Sequence, residues 1–166
     1  MKNVKVYKRK VVKMEGCYKE YSAELDNQAK DAVGAVRILL RQLGFDSVDA
    51  SGLYKDGWPD IVAWPTGEEL EWGMAIFVEV EKRVEWWTTG KFPYRSLHIL
   101  ERKNKYLEKS NITFGRPIYF VSVCKDLKRA VVVEGEQLKG RELSWENKTK
   151  EKFYDIPVKE CVFVDL

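Results

Sequence analysis

The chain holds one histidine, His98, among 166 residues, and its three cysteines, Cys17, Cys124 and Cys161, stand far apart with no C-x-x-C pair. A zinc site or a nucleophilic triad needs more than this, so neither is expected, and His98 reads as structural or at most as a phosphate contact. Cysteines in odd number and wide spacing argue for reduced thiols rather than a disulfide framework. Glycine-rich phosphate loops of the Walker or Rossmann type are missing, so no nucleotide cofactor such as ATP or NAD is expected. No apolar run reaches the roughly 20 residues that span a bilayer, and the basic N-terminal stretch lacks the apolar segment of a secretory signal. The expectation is a protein with no membrane association, located in a cytoplasm (a host cytoplasm if the origin is viral). Internal repeats and low-complexity segments are absent as well.

Charge of one sign is also scarce. Lys and Arg number 29 against 26 Asp and Glu, a net charge of +3 that by itself barely argues for nucleic acid. The distribution says more. Lys2, Lys5, Lys8, Arg9, Lys10 and Lys13 fall together without an acid among them, and further groups stand at Arg102, Lys103 and Lys105 and at Lys125, Lys128 and Arg129. Any one group alone reads as a solvated lysine-rich face. Such patches are nevertheless the electrostatic footprint that a phosphate-backbone binder needs.

What is present suits one domain over residues 1–166, with 45% hydrophobic and 33% charged residues. Val4, Val6, Val11 and Val12 among lysines predict a short edge strand or hairpin over 3–13. Residues 22–43 predict a helix: Ser22 as N-cap, Glu24 and Asp26 in the first turn, and Leu25, Ala29, Ala32, Val33, Val36, Leu39, Leu40 and Leu43 as one apolar stripe. Gly44 is its stop. Strands are expected over 61–64, 72–83, 118–124 and 130–134, the last two as a hairpin, with a short edge strand over 161–166. A second helix is expected over 96–109, with Leu97, Leu100, Tyr106 and Leu107 buried and Arg102, Lys103 and Lys105 on its exposed flank. The tail 134–152 reads as polar, with a lone Trp145. This order predicts an α/β fold, a mixed central sheet with helices on its faces.

Two stretches carry chemistry: Gly57-Trp58-Pro59-Asp60-Ile61-Val62-Ala63-Trp64 and Ala75-Ile76-Phe77-Val78-Glu79-Val80-Glu81-Lys82-Arg83. Strand alternation puts Glu79 and Glu81 on one face and Val78, Val80 and Lys82 on the other. With the two strands adjacent, Asp60, Glu79 and Glu81 are expected to converge at one sheet edge. Carboxylates so placed repel unless a cation or proton intervenes, and oxygen-only clusters suit Mg²⁺ or Mn²⁺. The plainer alternative makes Asp60 a turn residue after proline. It explains Glu79 poorly, because a carboxylate inside an apolar strand is costly without a partner.

With Leu43-Gly44-Phe45, Ser51-Gly52 and Pro59-Asp60-Ile61-Val62-Ala63 ahead of Glu79, residues 24–83 resemble the PD-(D/E)xK nuclease superfamily, and within it the archaeal Holliday-junction resolvases. The resemblance implies a restriction-endonuclease-like fold, Mg²⁺- or Mn²⁺-dependent hydrolysis of DNA phosphodiesters, duplex or branched DNA as partner, and a homodimer. It implies Asp60 and Glu79 as metal ligands, an acidic residue on the helix (Glu24, at the helix start as in the family, ahead of Asp31, which is nearer in register), and Ser51 in a loop at the nucleic acid. The chain departs from the family two positions after Glu79, where a lysine is replaced by Glu81. Glu81 then becomes a ligand or general base. The missing cation falls to Lys82, if a bulge turns it, or to Lys103 or Lys105 from the second helix.

Two other functions fit the same residues. One is a nuclease-like fold that has lost catalysis and serves as a nucleic-acid-binding or assembly module. The other is a protein-interaction domain using the aromatic stretch at Trp86, Trp87, Phe92 and Tyr94, which would equally serve to stack on bases or to fill a core.

Overall fold

A computed structural model describes residues 23–50, 59–83, 87–88, 90–107, 116–146 and 150–166, and the side chains from residue 30 onward. The strand expected over 3–13, the Ser22 cap, Cys17, Ser51 with Gly52, and Trp86 lie outside the described residues.

Helix α1 spans Ala23–Gln42. Ala32, Val33, Val36 and Leu40 are its buried positions, the three- and four-residue spacing that keeps one face inward. Gly44, at φ +87°, ends it in the left-handed conformation that glycine adopts without strain. Leu43 sits past the last turn and is exposed, not part of the stripe. Arg37 ties α1 to the first strand, donating to Ser47 Oγ at 3.2 Å and to the Ser47 carbonyl at 2.8 Å.

Among the described residues, six strands form the main sheet in the order β1 (Phe45–Asp49), β2 (Ile61–Pro65), β3 (Ile76–Arg83), β5 (Ile118–Cys124), β6 (Arg129–Glu134) and β9 (Val162–Asp165). Among the described residues only β3 and β5 pair in parallel, so the sheet is mixed and the class is α/β. The hairpin β5–β6 and the edge strand β9 agree with the sequence pattern. Strand β3 starts at Ile76 rather than at residue 72, because 72–74 form a turn closed by Met74 N–H donating to the Glu71 carbonyl at 2.9 Å.

A parallel pair needs a crossover, and this crossover holds the largest departure from expectation. Residues 96–107 do not form the α-helix expected over 96–109, whose last two positions lie outside the described residues. Ser96–Leu100 is strand β4, followed by a 3-10 helix over Glu101–Tyr106. Strand β4 pairs with β8 (Glu151–Pro157), and β8 pairs with β7 (Leu143–Glu146), making a second, three-stranded sheet. Leu97 and Ile99 are buried while His98 between them is exposed, a period of two that the spacing of Leu97, Leu100, Tyr106 and Leu107 had masked. The tail after residue 134, read as merely polar, supplies the two partner strands.

The core has two layers. Helix α1 packs on one face of the main sheet over Ile61, Ala63, Val78, Val121 and Val123. The small sheet and Tyr106 pack on the other face with Phe77, Ile118, Phe120, Val131 and Val133. Trp87 belongs to this second layer, edge-on to Phe92 with ring centroids 5.1 Å apart. Trp87 and Phe92 are therefore core side chains, and of the described aromatic residues in that stretch only Tyr94 is exposed. No helix among the described residues is long and apolar enough to cross a membrane.

Candidate active site

Asp60 precedes β2, and extending the β2–β3 register from Ile61↔Val78 by one step sets it across from Glu79. Both lie on the face covered by the small sheet, because Val62 and Phe77, two residues away along each strand, pack into that layer. Like charges directly opposite in an antiparallel pair repel. The fold holds them there through the backbone: Asp60 Oδ2 accepts the Val80 N–H at 2.8 Å, and the Asp60 carbonyl accepts the Ala50 N–H at 2.7 Å. Burial, and then the charge of Glu79, push the Asp60 carboxyl up to about 6.

Glu79 is 9% exposed. The 3-10 helix of the crossover meets it with two side chains. Residues three apart eclipse on such a helix, and Lys103 and Tyr106 have that spacing. The Lys103 ammonium forms an ion pair and hydrogen bond with Glu79 Oε1. The Tyr106 hydroxyl is kept protonated well above its usual range, by burial first, then by the negative charge of Glu79 and by its hydrogen bond to the Glu79 carboxylate. Glu79 Oε2 is buried and has no hydrogen-bond partner. Lys103 is thus turned inward, with its side chain 20% exposed, rather than lying on an exposed flank. The sequence offered Lys103, beside Lys105 and Lys82, as the missing cation, but set it on the exposed flank of a helix that does not form.

Glu81 does not join Asp60 and Glu79. Its Oε2 lies 2.7 Å from the guanidinium of Arg83, the next residue on the same strand face. Arg83 also donates to Ser122 Oγ at 3.4 Å and to the His98 carbonyl at 3.0 Å. Glu79, Glu81, Arg83, Lys103 and Ser122 line one cleft, walled by Ile99, Leu100 and Phe120. Arg83 was absent from the residues singled out in the sequence, although its i+2 spacing from Glu81 places it on this face. Among the described residues, no group of three or more His, Cys, Asp and Glu side chains could hold a metal ion. The expected three-carboxylate cluster is replaced by a pair, Asp60 and Glu79, with Glu81 neutralised separately.

Lys82 falls on the α1 face, opposite Glu79, because β3 keeps unbroken register with β5 from residue 77 to 83 and no bulge turns it. Glu24 lies in the first turn of α1, with its side chain outside the described residues, and Asp31 is exposed. Arg102 and Lys105 are exposed on the 3-10 helix, Arg102 Nη1 3.6 Å from Glu151 and Lys105 Nζ 4.7 Å from the Tyr106 ring centre. His98 stacks on Phe153 with centroids 4.0 Å apart and lies 3.3 Å from Asp155, so its contacts are structural.

The donor set fits a hard divalent cation in one respect. Mg²⁺ is commonly held by one or two carboxylates, with water and substrate phosphate completing its shell. Asp60 and Glu79 are such a pair, and the unpartnered Glu79 Oε2 is an oxygen that such an ion would satisfy.

No protein-family model matches the chain, and no curated protein matches it. Among solved structures, the chain is similar to Hjc of Archaeoglobus fulgidus, a Holliday junction resolvase from an archaeal hyperthermophile. The TM-score is 0.47 and the identity 16%, over 76% of this chain and 87% of that one.

Proposed function

We propose that the protein is a Mg²⁺- or Mn²⁺-dependent endonuclease that hydrolyses DNA phosphodiester bonds. The observation that carries this reading is Glu79: a buried carboxylate across from Asp60, with Lys103 on one oxygen and no partner on the other. Repelling carboxylates beside a lysine, at the end of a cleft, are a costly arrangement that a structural role does not require.

In the reaction, water adds to phosphorus and one P–O ester bond breaks. Bound metal would lower the pKa of the attacking water and neutralise charge developing on the phosphate. Asp60 and Glu79 would hold the cation, with the Asp60 carboxylate fixed by the Val80 N–H. Lys103, now on Glu79, would provide the positive charge for the phosphate oxygens that the resembling family places on the strand, where this chain has Glu81. Glu81, next along the cleft, serves as general base for the water, with Arg83 orienting it. Ser51, Arg102 and Lys105 are the proposed contacts to the DNA backbone. Duplex or branched DNA as substrate and a homodimeric assembly come from the sequence resemblance.

The test is cleavage of labelled linear duplex, four-way junction, flap and single-stranded DNA in Mg²⁺, Mn²⁺ or EDTA, with Glu79→Ala beside the wild type. Metal-dependent cutting that the variant loses supports the nuclease, and the preferred substrate names its type. The pairing of Glu81 with Arg83 favours a second reading, a nucleic-acid-binding module without catalysis, for which salt-sensitive binding without cutting is the expected result.

A further inference from the structure

The Lys103–Glu79 contact sits where a cation would have to arrive. With both carboxylates ionised, Asp60 and Glu79 carry two negative charges, and the Lys103 ammonium offsets one of them. Lys103 reaches Glu79 from a six-residue 3-10 helix, and a fifth of its side chain remains exposed. Its flexible four-carbon stem can swing the ammonium away without moving the backbone. The parts that hold the carboxylates are separate from it. Asp60 is fixed by the Val80 N–H, and the Tyr106 hydroxyl stays beside Glu79 on a buried ring.

We propose that Lys103 is a resident place-holder for the divalent cation: it neutralises Glu79 in the metal-free protein and is displaced into the cleft when metal binds. This rests on the reading of Asp60 and Glu79 as the metal-holding pair. Charge counting then gives the device a second consequence. Metal and lysine together overcompensate the two carboxylates by one positive charge, which an anionic phosphate in the cleft completes. Metal and phosphate therefore bind cooperatively through Lys103, and the metal-free site stays neutral enough to remain folded.

The experiment is Mn²⁺ binding to DNA-free protein, by titration calorimetry or electron paramagnetic resonance, for wild type, Lys103→Met, Lys103→Arg and the double variant Lys103→Met/Glu79→Gln. Removing the competing charge is expected to tighten Mn²⁺ binding about tenfold or more, the scale on which one neighbouring charge shifts an ionic equilibrium. Lys103→Arg is expected to remain near the wild type, and the double variant to lose the tight binding. A Lys103→Met protein that binds Mn²⁺ equally or more weakly overturns the proposal, as does absence of Mn²⁺ binding in every variant. Lys103→Gln replaces Lys103→Met if the latter does not fold in EDTA, and in either variant Mn²⁺ should raise the melting temperature by more than in the wild type. The two readings fail separately. Tighter Mn²⁺ binding without DNA cleavage removes the nuclease and leaves the place-holder, whereas cleavage with unchanged Mn²⁺ affinity does the reverse.

Discussion

Asp60 Oδ2 accepts the backbone N–H of Val80 at 2.8 Å, so the Asp60 carboxylate is pinned to the residue that follows Glu79 in the strand. The bond favours the ionised carboxylate, yet burial and Glu79 outweigh it and the Asp60 pKa rises from 3.8 to about 6. Between those values the folded protein keeps a proton that the unfolded chain has released. Stability is therefore highest below the window and falls as pH rises through it, by on the order of 3 kcal/mol once Asp60 is ionised. Asp60→Asn keeps an acceptor for Val80 and cannot ionise. In EDTA at pH 8 it should be more stable than the wild type by about 1–3 kcal/mol, and the difference should shrink toward pH 4. Denaturant melts at several pH values check this, and a constant difference contradicts it.

The same proton competes with metal. At subsaturating Mn²⁺, cleavage should fall about tenfold for each pH unit below about 6, one proton being taken up as the metal leaves. Glu79→Ala should lower metal-dependent cleavage at least about a hundredfold at any pH. Rate measurements across pH 5–8 with the metal concentration varied separate the two effects.

Tyr106 has its ring in the core and its hydroxyl beside Glu79. Tyr106→Phe keeps the ring and removes the hydroxyl, so stability should change by no more than about 1–2 kcal/mol. Mn²⁺ affinity should fall severalfold as Glu79 loses a neighbour that orients it. Tyr106→Ala should cost about 3–5 kcal/mol through the cavity it leaves. Melting curves with and without Mn²⁺ distinguish a positioning role from a packing role.

Gly135 follows β6, and a Cβ there would collide with Ile118 Cγ2 and stand 3.0 Å from Leu107 Cδ2. Ile118 opens β5 and Leu107 ends the segment that carries Lys103. Gly135→Ala should therefore destabilise the protein by about 1–3 kcal/mol through overpacking. A variant as stable as the wild type would show that the crossover is loosely held.

Arg102 and Lys105 are exposed beside the inward-facing Lys103. Replacing either by alanine should weaken binding to all DNA sequences alike and reduce the salt slope by about one. Filter binding at several salt concentrations reads this directly.

Helix α1 was legible from its three- and four-residue apolar spacing, and the strands β2 and β3 and the hairpin β5–β6 from short continuous apolar runs bounded by turn residues. Asp60 and Glu79 were legible as well, since a proline-aspartate turn ahead of an apolar strand, and a carboxylate inside another, are local features. The segment after residue 95 was not. Leu97, Leu100, Tyr106 and Leu107 satisfy a helical spacing, while Leu97 and Ile99 satisfy a strand's, and five residues are too few for the pattern to choose.

By itself the sequence determined that Glu79 and Glu81 share one face of β3, because side chains alternate along an unbroken strand. Only the tertiary structure decided which cation meets them. Strand β4 pairs with β8, more than fifty residues later, and the chain then turns through a six-residue 3-10 helix. The turn brings Lys103 to Glu79 across 24 residues of chain, while Lys82, three residues away in sequence, is held on the far face. Contact between distant residues is set by packing, which no local period records.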